Sequence, residues 1–506
     1  MKNTKKITKS QVSPAIGNAL IAGLSKVNNT TLTENGALTN KSTLSHTLDL
    51  FGQGGALRTR EESDICNLFS KAFAENHLAA MKTLFYLRDI RGGQGERRTF
   101  RAILRWLAVN QTEVLRKNLG NISFFGRWDD LYVLTGTPLE NEIFELISRQ
   151  LSLDILAMKN EESVSLLAKW LKSENTSSKE SCRLGHLTRE KLGVSSKKYR
   201  KTLSALRRYI KVVEVSMCAG EWNNIDFSKV TSKAAMTYKK AFSKHNPTGF
   251  ENFLKKVESG EVKINAGAVY PYEILRSIQH ERDPLSVRSL DLQWKAMPNF
   301  LEGNEHKGIV IADTSGSMNG MPILVSISLA IYFAERNVGP FKDVFLTFSN
   351  TPTFHTIVGN TLKEKYDSLD QGGWDMNTNL QAAFDLVLST AVKNKVPVKD
   401  MPTVLYIVSD MEFDEACNNQ TNFEALKNKY QATGYKLPVV VFWNVNSRND
   451  QNPVRFDDKG TVLVSGCSPT ILQAVLAGIE LEQEKVDPIT VMLQKLNDER
   501  YNRVVA

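Results

Sequence analysis

The chain has 506 residues, of which 42% are hydrophobic and 24% charged, with a formal net charge of +9. This composition excludes wholesale disorder and suffices for about two to four domains. Cys66, Cys182, Cys218, Cys417 and Cys467 form no Cys-x-x-Cys pair and cannot all pair internally. That disfavours a disulfide-stapled secreted fold and points to a reducing, cytoplasmic setting. No uncharged apolar run reaches the roughly 18 to 20 residues of a membrane span, so no membrane partner is expected.

The net charge conceals an asymmetry. Residues 1–300 hold 46 Lys and Arg against 30 Asp and Glu, and residues 301–506 hold 18 against 25, so the two parts carry +16 and −7. One surface suits polyanions and the other suits cations or basic partners. The basic excess is densest in residues 151–250, with 19 basic and 9 acidic side chains, which makes that block the first place to expect nucleic acid.

In chain order, residues 1–58 are rich in Asn, Thr, Ser and Gly and read as a flexible lead-in. Lys2, Lys5, Lys6 and Lys9 precede an apolar stretch, but Asn18 interrupts it and no small-residue cleavage site follows, so a tail is expected rather than a leader. Residues 59–300 carry helical periodicity, for example Phe100, Ile103, Leu104 and Leu107. The segments are broken at Arg91-Gly92-Gly93-Gln94-Gly95, Gly136-Thr137-Pro138 and His245-Asn246-Pro247, which is turn chemistry between helices. An all-helical, HEAT-like domain is expected, although no strict repeat is present. From residue 301 to 482 short apolar runs alternate with amphipathic stretches: 308–313, 344–348, 354–358, 404–409, 439–443 and 462–464 read as strands, and 322–336, 379–393, 422–433 and 469–478 as helices. This predicts a doubly wound α/β domain, followed by a C-terminal helix within 483–506. The fold class is therefore α plus α/β. In such sheets ligands bind beyond the carboxyl ends of the strands.

Three positions of that kind stand out. Asp313-Thr314-Ser315-Gly316-Ser317 follows the first strand, Thr378 lies in the loop from Gly372, and Asp410 ends the strand that starts at Val404. Asp313, Ser315, Ser317, Thr378 and Asp410 supply two carboxylates and three hydroxyls. That donor set suits Mg²⁺ or Mn²⁺ and leaves a coordination position open. No His or Cys accompanies them, which disfavours zinc. Asp375, Glu412 and Asp414 lie beside these motifs and are read as solvated loop acids or as charges that tune the site.

In the helical part, Arg88, Arg91, Arg97 and Arg98 surround the glycine-rich turn. Two readings stand: an anion cradle, or a turn whose arginines pair with Asp89 and Glu96. Lys197, Lys198, Arg200, Lys201, Arg207, Arg208 and Lys211 fall on one predicted helix with Tyr199 and Tyr209 interleaved. Lys197, Arg200, Lys201 and Arg208 share one face that could track phosphates while a tyrosine stacks on bases; the alternative is a solvated helix. Cys182 and His186 make a Cys-x-x-x-His spacing, better read as a capped helix start than as half a zinc site.

The Asp-x-Ser-x-Ser turn, the distant Thr and the distant Asp resemble the metal-ion-dependent adhesion site of von Willebrand factor A domains. The resemblance implies a Rossmann-like fold and a metal whose open position takes a carboxylate from a protein partner, in a domain that recognises rather than cleaves. Phe85 to Arg97, Gly126 to Leu131, Leu167 to Leu171 and Ala235 to Phe242, with Ser409 to Asp414 and Val441 to Asn444, resemble the domain-of-unknown-function 2828 family, whose members place these motifs before a von Willebrand A domain. A more distant similarity is to the TROVE modules of Ro ribonucleoproteins, which implies single-stranded or structured RNA as partner. The function expected is a non-enzymatic RNA-binding ribonucleoprotein scaffold with a metal site; the alternative is a protein–protein adaptor without nucleic acid. A phosphoester hydrolase fits less well, because no nucleophile, general base or second metal cluster accompanies the motifs.

Overall fold

The computed structural model describes residues 6–13, 23–25, 28–303, 307–348, 352–370, 377–415, 420–479 and 486–506. After a single helical turn α1 (Lys9–Val12), a hairpin β1 (Thr30–Leu32) and β2 (Leu38–Asn40) leads to α2 (His46–Gln53). Helices α3 (Glu62–Glu75), α4 (His77–Arg88), α5 (Arg98–Asn110), α6 (Thr112–Phe125), α7 (Glu140–Lys159), α8 (Leu167–Trp170), α9 (Lys179–Lys191), α10 (Ser196–Tyr209), α11 (Val213–Cys218), α12 (Ser232–His245), α13 (Pro247–Glu258), α14 (Pro271–Gln279) and α15 (Pro284–Lys295) follow. Local chemistry sets their ends. Asn76 closes α3 and caps α4, its side chain accepting from Ala79 N–H at 2.8 Å, and Asn246 with Pro247 does the same between α12 and α13. In the turn between α4 and α5, Gly95 sits at φ +65°, and a Cβ on Gly93 would stand 2.1 Å from the Tyr86 carbonyl oxygen. Only glycine fits there.

The helices do not share one core. Those up to α10, with α14 and most of α15, belong to a hydrophobic cluster that runs on into the sheet and reaches from Ile7 to Val504. A smaller unit has its own cluster, built from Phe227, Phe242, Phe250, Phe253 and Leu254, with Leu292 of α15 at its edge. The helical character is as expected; a uniform array is not what forms.

The second part is a six-stranded mixed sheet of β3 (Gly308–Ala312), β4 (Val344–Thr347), β5 (Phe354–Thr356), β6 (Val404–Ser409), β7 (Val439–Asn444) and β8 (Thr461–Ser465), in the order β5-β4-β3-β6-β7-β8. All neighbours are parallel except β5, which runs antiparallel at one edge. Helices α16 (Met321–Arg336), α17 (Leu362–Asp370), α18 (Leu380–Lys393), α19 (Asn422–Thr433), α20 (Ile471–Ile479) and α21 (Pro488–Leu496) complete the chain. Strands β6, β7 and β8 are buried at every residue, which is why they read as unbroken apolar runs. The chain reverses its direction of winding between β3 and β6, which lie side by side. That gap is the topological switch point. No helix among the described residues is long and apolar enough to cross a membrane.

The lead-in needs correction. From residue 28 onward it is folded into the molecule: Leu48, Leu50 and Phe51 of α2 are fully buried, α2 packs on β8 and α3, and Gly55 N–H donates to Ser465 Oγ at 3.0 Å. Its polar residues misled because they serve as internal partners. Thr39 donates to the Asn452 carbonyl at 2.9 Å, and Asp49 accepts from Ser42 Oγ at 2.5 Å and Thr43 N–H at 2.7 Å. The C-terminal helix appears as expected and closes onto α2 and α4, where buried Lys82 donates to the last-turn carbonyl of Leu496 at 2.9 Å. Beyond it, the Arg500 guanidinium grips the buried Asp89 carboxylate, and Tyr501 stacks on Phe125 with ring centroids 5.5 Å apart.

Burial alone would raise the Asp89 carboxyl, but hydrogen bonds from Arg500 and from the Arg91 and Gly92 backbone outweigh it and hold it below its ordinary value. Arg500→Leu should therefore cost about 2–3 kcal/mol at neutral pH, since a buried carboxylate loses its partner. A depressed folded value means this stabilisation is fully present above about pH 5 and is lost as pH falls through the folded value. Urea titrations of parent and variant at pH 7 and near pH 3 should show the gap shrink.

Candidate metal centre and basic surface

Strands β3 and β6 pair in parallel from Gly308 opposite Val404 to Ala312 opposite Val408, so Asp313 and Asp410 emerge at the same rim. Asp313 N–H still donates to the Val408 carbonyl at 3.0 Å. Both acids are buried, at 0% and 1% exposure. Asp313 Oδ1 accepts from Ser315 N–H at 2.9 Å and Oδ2 from Ser409 Oγ at 2.5 Å. The Ser315 and Ser317 hydroxyls lie 3.1 Å apart. Asp410 Oδ1 accepts from Glu412 N–H at 3.2 Å, while among the described residues Oδ2 has no partner of hydrogen-bond geometry; the Arg448 guanidinium lies 3.3 Å away, and the Ser317 hydroxyl also favours the ionised carboxyl. Burial first, and then the charge of Asp313, push the Asp410 carboxyl up to about 6; burial raises Asp313 as well. Two buried carboxylates repel each other at one rim, and one oxygen is unsatisfied.

Thr378 is buried and clamped by its backbone to Asp414: its N–H donates to Asp414 Oδ2 at 2.9 Å and its carbonyl accepts from Asp414 N–H at 3.1 Å. Asp414 in turn raises Asp313 through its charge. Asp375 lies outside the described residues. Glu412 is no solvated loop acid: it is fully buried and accepts from Glu34 N–H at 2.7 Å and Asn449 Nδ2 at 3.0 Å. It holds the β1–β2 turn against the rim. Ser409, Arg448 and Glu34 were missed by the sequence. Ser409 carried a signal, as the hydroxyl residue just before the strand-end acid; Arg448, which also pairs with Glu34 at 2.8 Å, carried none.

Among the described residues no three His, Cys, Asp or Glu side chains converge as a metal-ligating group. What the rim offers instead is two carboxylates and neighbouring hydroxyls, and hard oxygen donors of that kind suit Mg²⁺ or Mn²⁺. The unpartnered Asp410 oxygen and the mutual repulsion are what a divalent cation would relieve.

The basic residues separate into two groups. Arg88 is 2% exposed and bound to Asp130, with Nε at 2.8 Å and Nη2 at 2.7 Å, so it cannot meet a ligand. The turn's acids take their ion pairs from remote side chains, Glu96 from Arg58 at 2.7 Å and Asp89 from Arg500, while Arg91, Arg97 and Arg98 reach them through backbone N–H groups. Arg91, Arg97 and Arg98 are exposed, and Arg98 Nη1 donates to the Leu57 carbonyl at 3.3 Å. On α10, Arg207 is withdrawn, donating to the Ala168 and Leu171 carbonyls at 2.9 and 2.8 Å and to Ser173 Oγ at 2.8 Å. Tyr199 is buried, its hydroxyl donating to the Lys172 carbonyl at 2.7 Å, and cannot stack on a base. Lys197, Lys198, Arg200, Lys201, Arg208 and Lys211 remain exposed, with no carboxylate at ion-pair distance among the described residues. Cys182 and His186 do not form a metal pair: His186 contacts Glu174 at 3.0 Å, and Ser178 caps the helix.

Family models match in two blocks: Domain of unknown function (DUF2828) over residues 33–136 and 164–304, and Domain of unknown function (DUF7788) over residues 307–504. A relative, Uncharacterized protein L728 of Acanthamoeba polyphaga mimivirus, is 28% identical over 511 residues, covering 92% of this chain and 87% of that protein. The crystal structure of the RO (RSR) protein of Deinococcus radiodurans aligns over 84% of this chain and 92% of its own with a TM-score of 0.32 and 12% identity, a similarity too loose to transfer geometry.

If the rim holds a divalent ion, Mg²⁺ or Mn²⁺ at a hundredfold excess over Kd should stabilise the parent by about 2.7 kcal/mol. Asp313→Ala should abolish that gain. In EDTA, Asp410→Asn should melt no lower than the parent, because one of two repelling buried charges is gone. Thermal scans with and without metal check all three.

Proposed function

We propose that this chain, whose residues 33–136 and 164–304 match the DUF2828 family model, is a non-enzymatic RNA-binding scaffold whose sheet-containing half is a von Willebrand factor A-type domain holding Mg²⁺ or Mn²⁺. The observation that carries this reading is the segregation of unsatisfied charge. Six cations on and just after α10 are exposed with no acid at ion-pair distance among the described residues, while the switch-point rim concentrates two buried acids against one guanidinium, that of Arg448.

On the acidic side, Asp313, Ser315, Ser317, Thr378 and Asp410 would hold the ion. Bound there, the cation supplies a Lewis-acidic position that a partner's carboxylate can fill. Ser409 orients Asp313 by its 2.5 Å hydrogen bond, and the Asp414 clamp would fix the backbone that carries Thr378 toward the ion.

On the basic side, Lys197, Lys198, Arg200, Lys201, Arg208 and Lys211 supply the phosphate attraction that is independent of sequence. RNA should copurify with the protein, raising its 260/280 absorbance ratio before nuclease treatment, and affinity should fall linearly in log–log plots against salt. Lys197→Glu with Lys201→Glu should weaken binding and flatten the slope by about 0.7 for each phosphate of a single strand that is no longer neutralised. Capture of an acidic polypeptide with no RNA bound at any salt would favour the adaptor instead, and salt-independent RNA binding would overturn the assignment to this basic surface.

A further inference from the structure

A cleft separates α10 from the smaller helical unit. It opens as a cavity of about 950 Å³ and continues into a second of about 320 Å³, with Lys169, Arg208 and Val212 among the residues lining both. One wall belongs to the main core through Tyr199 and Leu203, and the other to the unit centred on Phe227 and Phe242. The chain crosses between them at Lys211, held at φ +53°. The cleft is therefore a boundary between two hydrophobic cores, not a packing defect within one.

Its lining has two chemistries. Arg200 borders the larger cavity, Lys211 the smaller, and Lys169 and Arg208 both, so cations follow its length. Carboxylates share the lining, Glu174 and Glu214 in the larger cavity and Glu214, Glu221 and Asp226 in the smaller; Glu174 is balanced by Arg189 and Asp226 by Lys229 at 2.9 Å, so the excess of cations is clearest in the larger cavity. Glu174 accepts from Arg189 at 2.8 Å and Ser196 at 2.7 Å, and Glu214 accepts from the Tyr238 hydroxyl at 3.0 Å. Between the cations lie aromatic and aliphatic surfaces: Trp170, Tyr238, Leu203 and Val215. Cations alone would take any polyanion. Apolar and aromatic walls beside them are useful only to a polyanion whose bases are free to enter, and a duplex keeps its base faces stacked inside. The larger cavity stands near the top of the roughly 300–1,000 Å³ range of ligand sites, enough for more than one base.

We propose that this cleft is a binding site for an unpaired nucleic-acid strand, with phosphates on Lys169, Arg200, Arg208 and Lys211 and bases entering the cavity beside Trp170 and Tyr238. The proposal rests on the RNA reading above and goes beyond it by choosing single strands over duplexes and by placing the strand in the cleft, away from the α4–α5 turn.

The test uses the full chain with a 5-bromouridine-substituted RNA of about twelve nucleotides and with a duplex of the same length at low salt. The single strand should bind about tenfold tighter than the duplex, and photocrosslinks should map to peptides containing Trp170 or Tyr238. Arg200→Glu with Arg208→Glu should weaken single-strand binding by about tenfold or more. Ser204→Trp, at an exposed position lining the cavity, fills it without altering charge and should selectively lower single-strand affinity. Unchanged thermal melting shows that both variants fold. If both bind the single strand like the parent and crosslinks fall at Arg97 or Arg98, the cleft assignment is overturned while RNA binding stands. Equal affinity for strand and duplex overturns the choice of ligand. No binding of either RNA overturns this proposal and the RNA reading together.

Discussion

The molecule depends on one seam: helix α2 lying against the edge strand β8, with α21 packed on both α2 and α4. Residues near the start of the chain thereby cover a sheet edge formed by residues 461–465, and the last residues fasten onto the α4–α5 turn. An exposed parallel edge would leave backbone groups and Val462, Leu463 and Val464 in water. Covering it buries Leu48, Leu50 and Phe51 completely, each contributing about 1.5–3 kcal/mol. The result is one core shared by the helical and sheet-containing halves, with only the unit around Phe227 kept apart.

The seam also builds the rim around Asp313 and Asp410. With α2 anchored, the β1–β2 turn is carried to the loop after β6, where Thr33 Oγ1 donates to the Phe413 carbonyl at 2.7 Å and Asn35 Nδ2 to the Glu412 carbonyl at 2.7 Å. The loop bearing Asp410 is thus held from outside its own domain. Glu34 and Arg448 extend this wall to Asp410 itself, so the balance of charge at the rim includes one guanidinium as well as the acids. A cation entering there would meet carboxylates already oriented by Ser409, Ser315 N–H and Glu412 N–H.

Arginine plays two roles in the helical half, and burial separates them. Arg88, Arg101 and Arg127 gather around Asp129 and Asp130 as internal cross-links, and Arg127 also lies 4.0 Å over the Trp170 ring. Arg207 ties α10 to the end of α8 by three hydrogen bonds. The cations left over face solvent or the cleft, and that remainder of charge is what a polyanion can use.

The sequence by itself determined the strands of the sheet. Strands buried along their whole length must be apolar throughout, so β6, β7 and β8 could be read to within a residue or two, and the acids following β3 and β6 stood out because polarity begins abruptly where burial of the strand ends. The helical stripe of α5 was legible for the same reason, as Phe100, Ile103, Leu104 and Leu107 all turn inward. Only the tertiary structure decided which polar residues are internal. Thr39, Asp49 and Glu412 look like loop residues until partners far along the chain satisfy them, and an arginine carries the same charge whether it is locked to Asp130 or open to solvent. Burial of a polar group is set by who its neighbours are in space, and a linear pattern records hydrophobicity but not the identity of a distant partner.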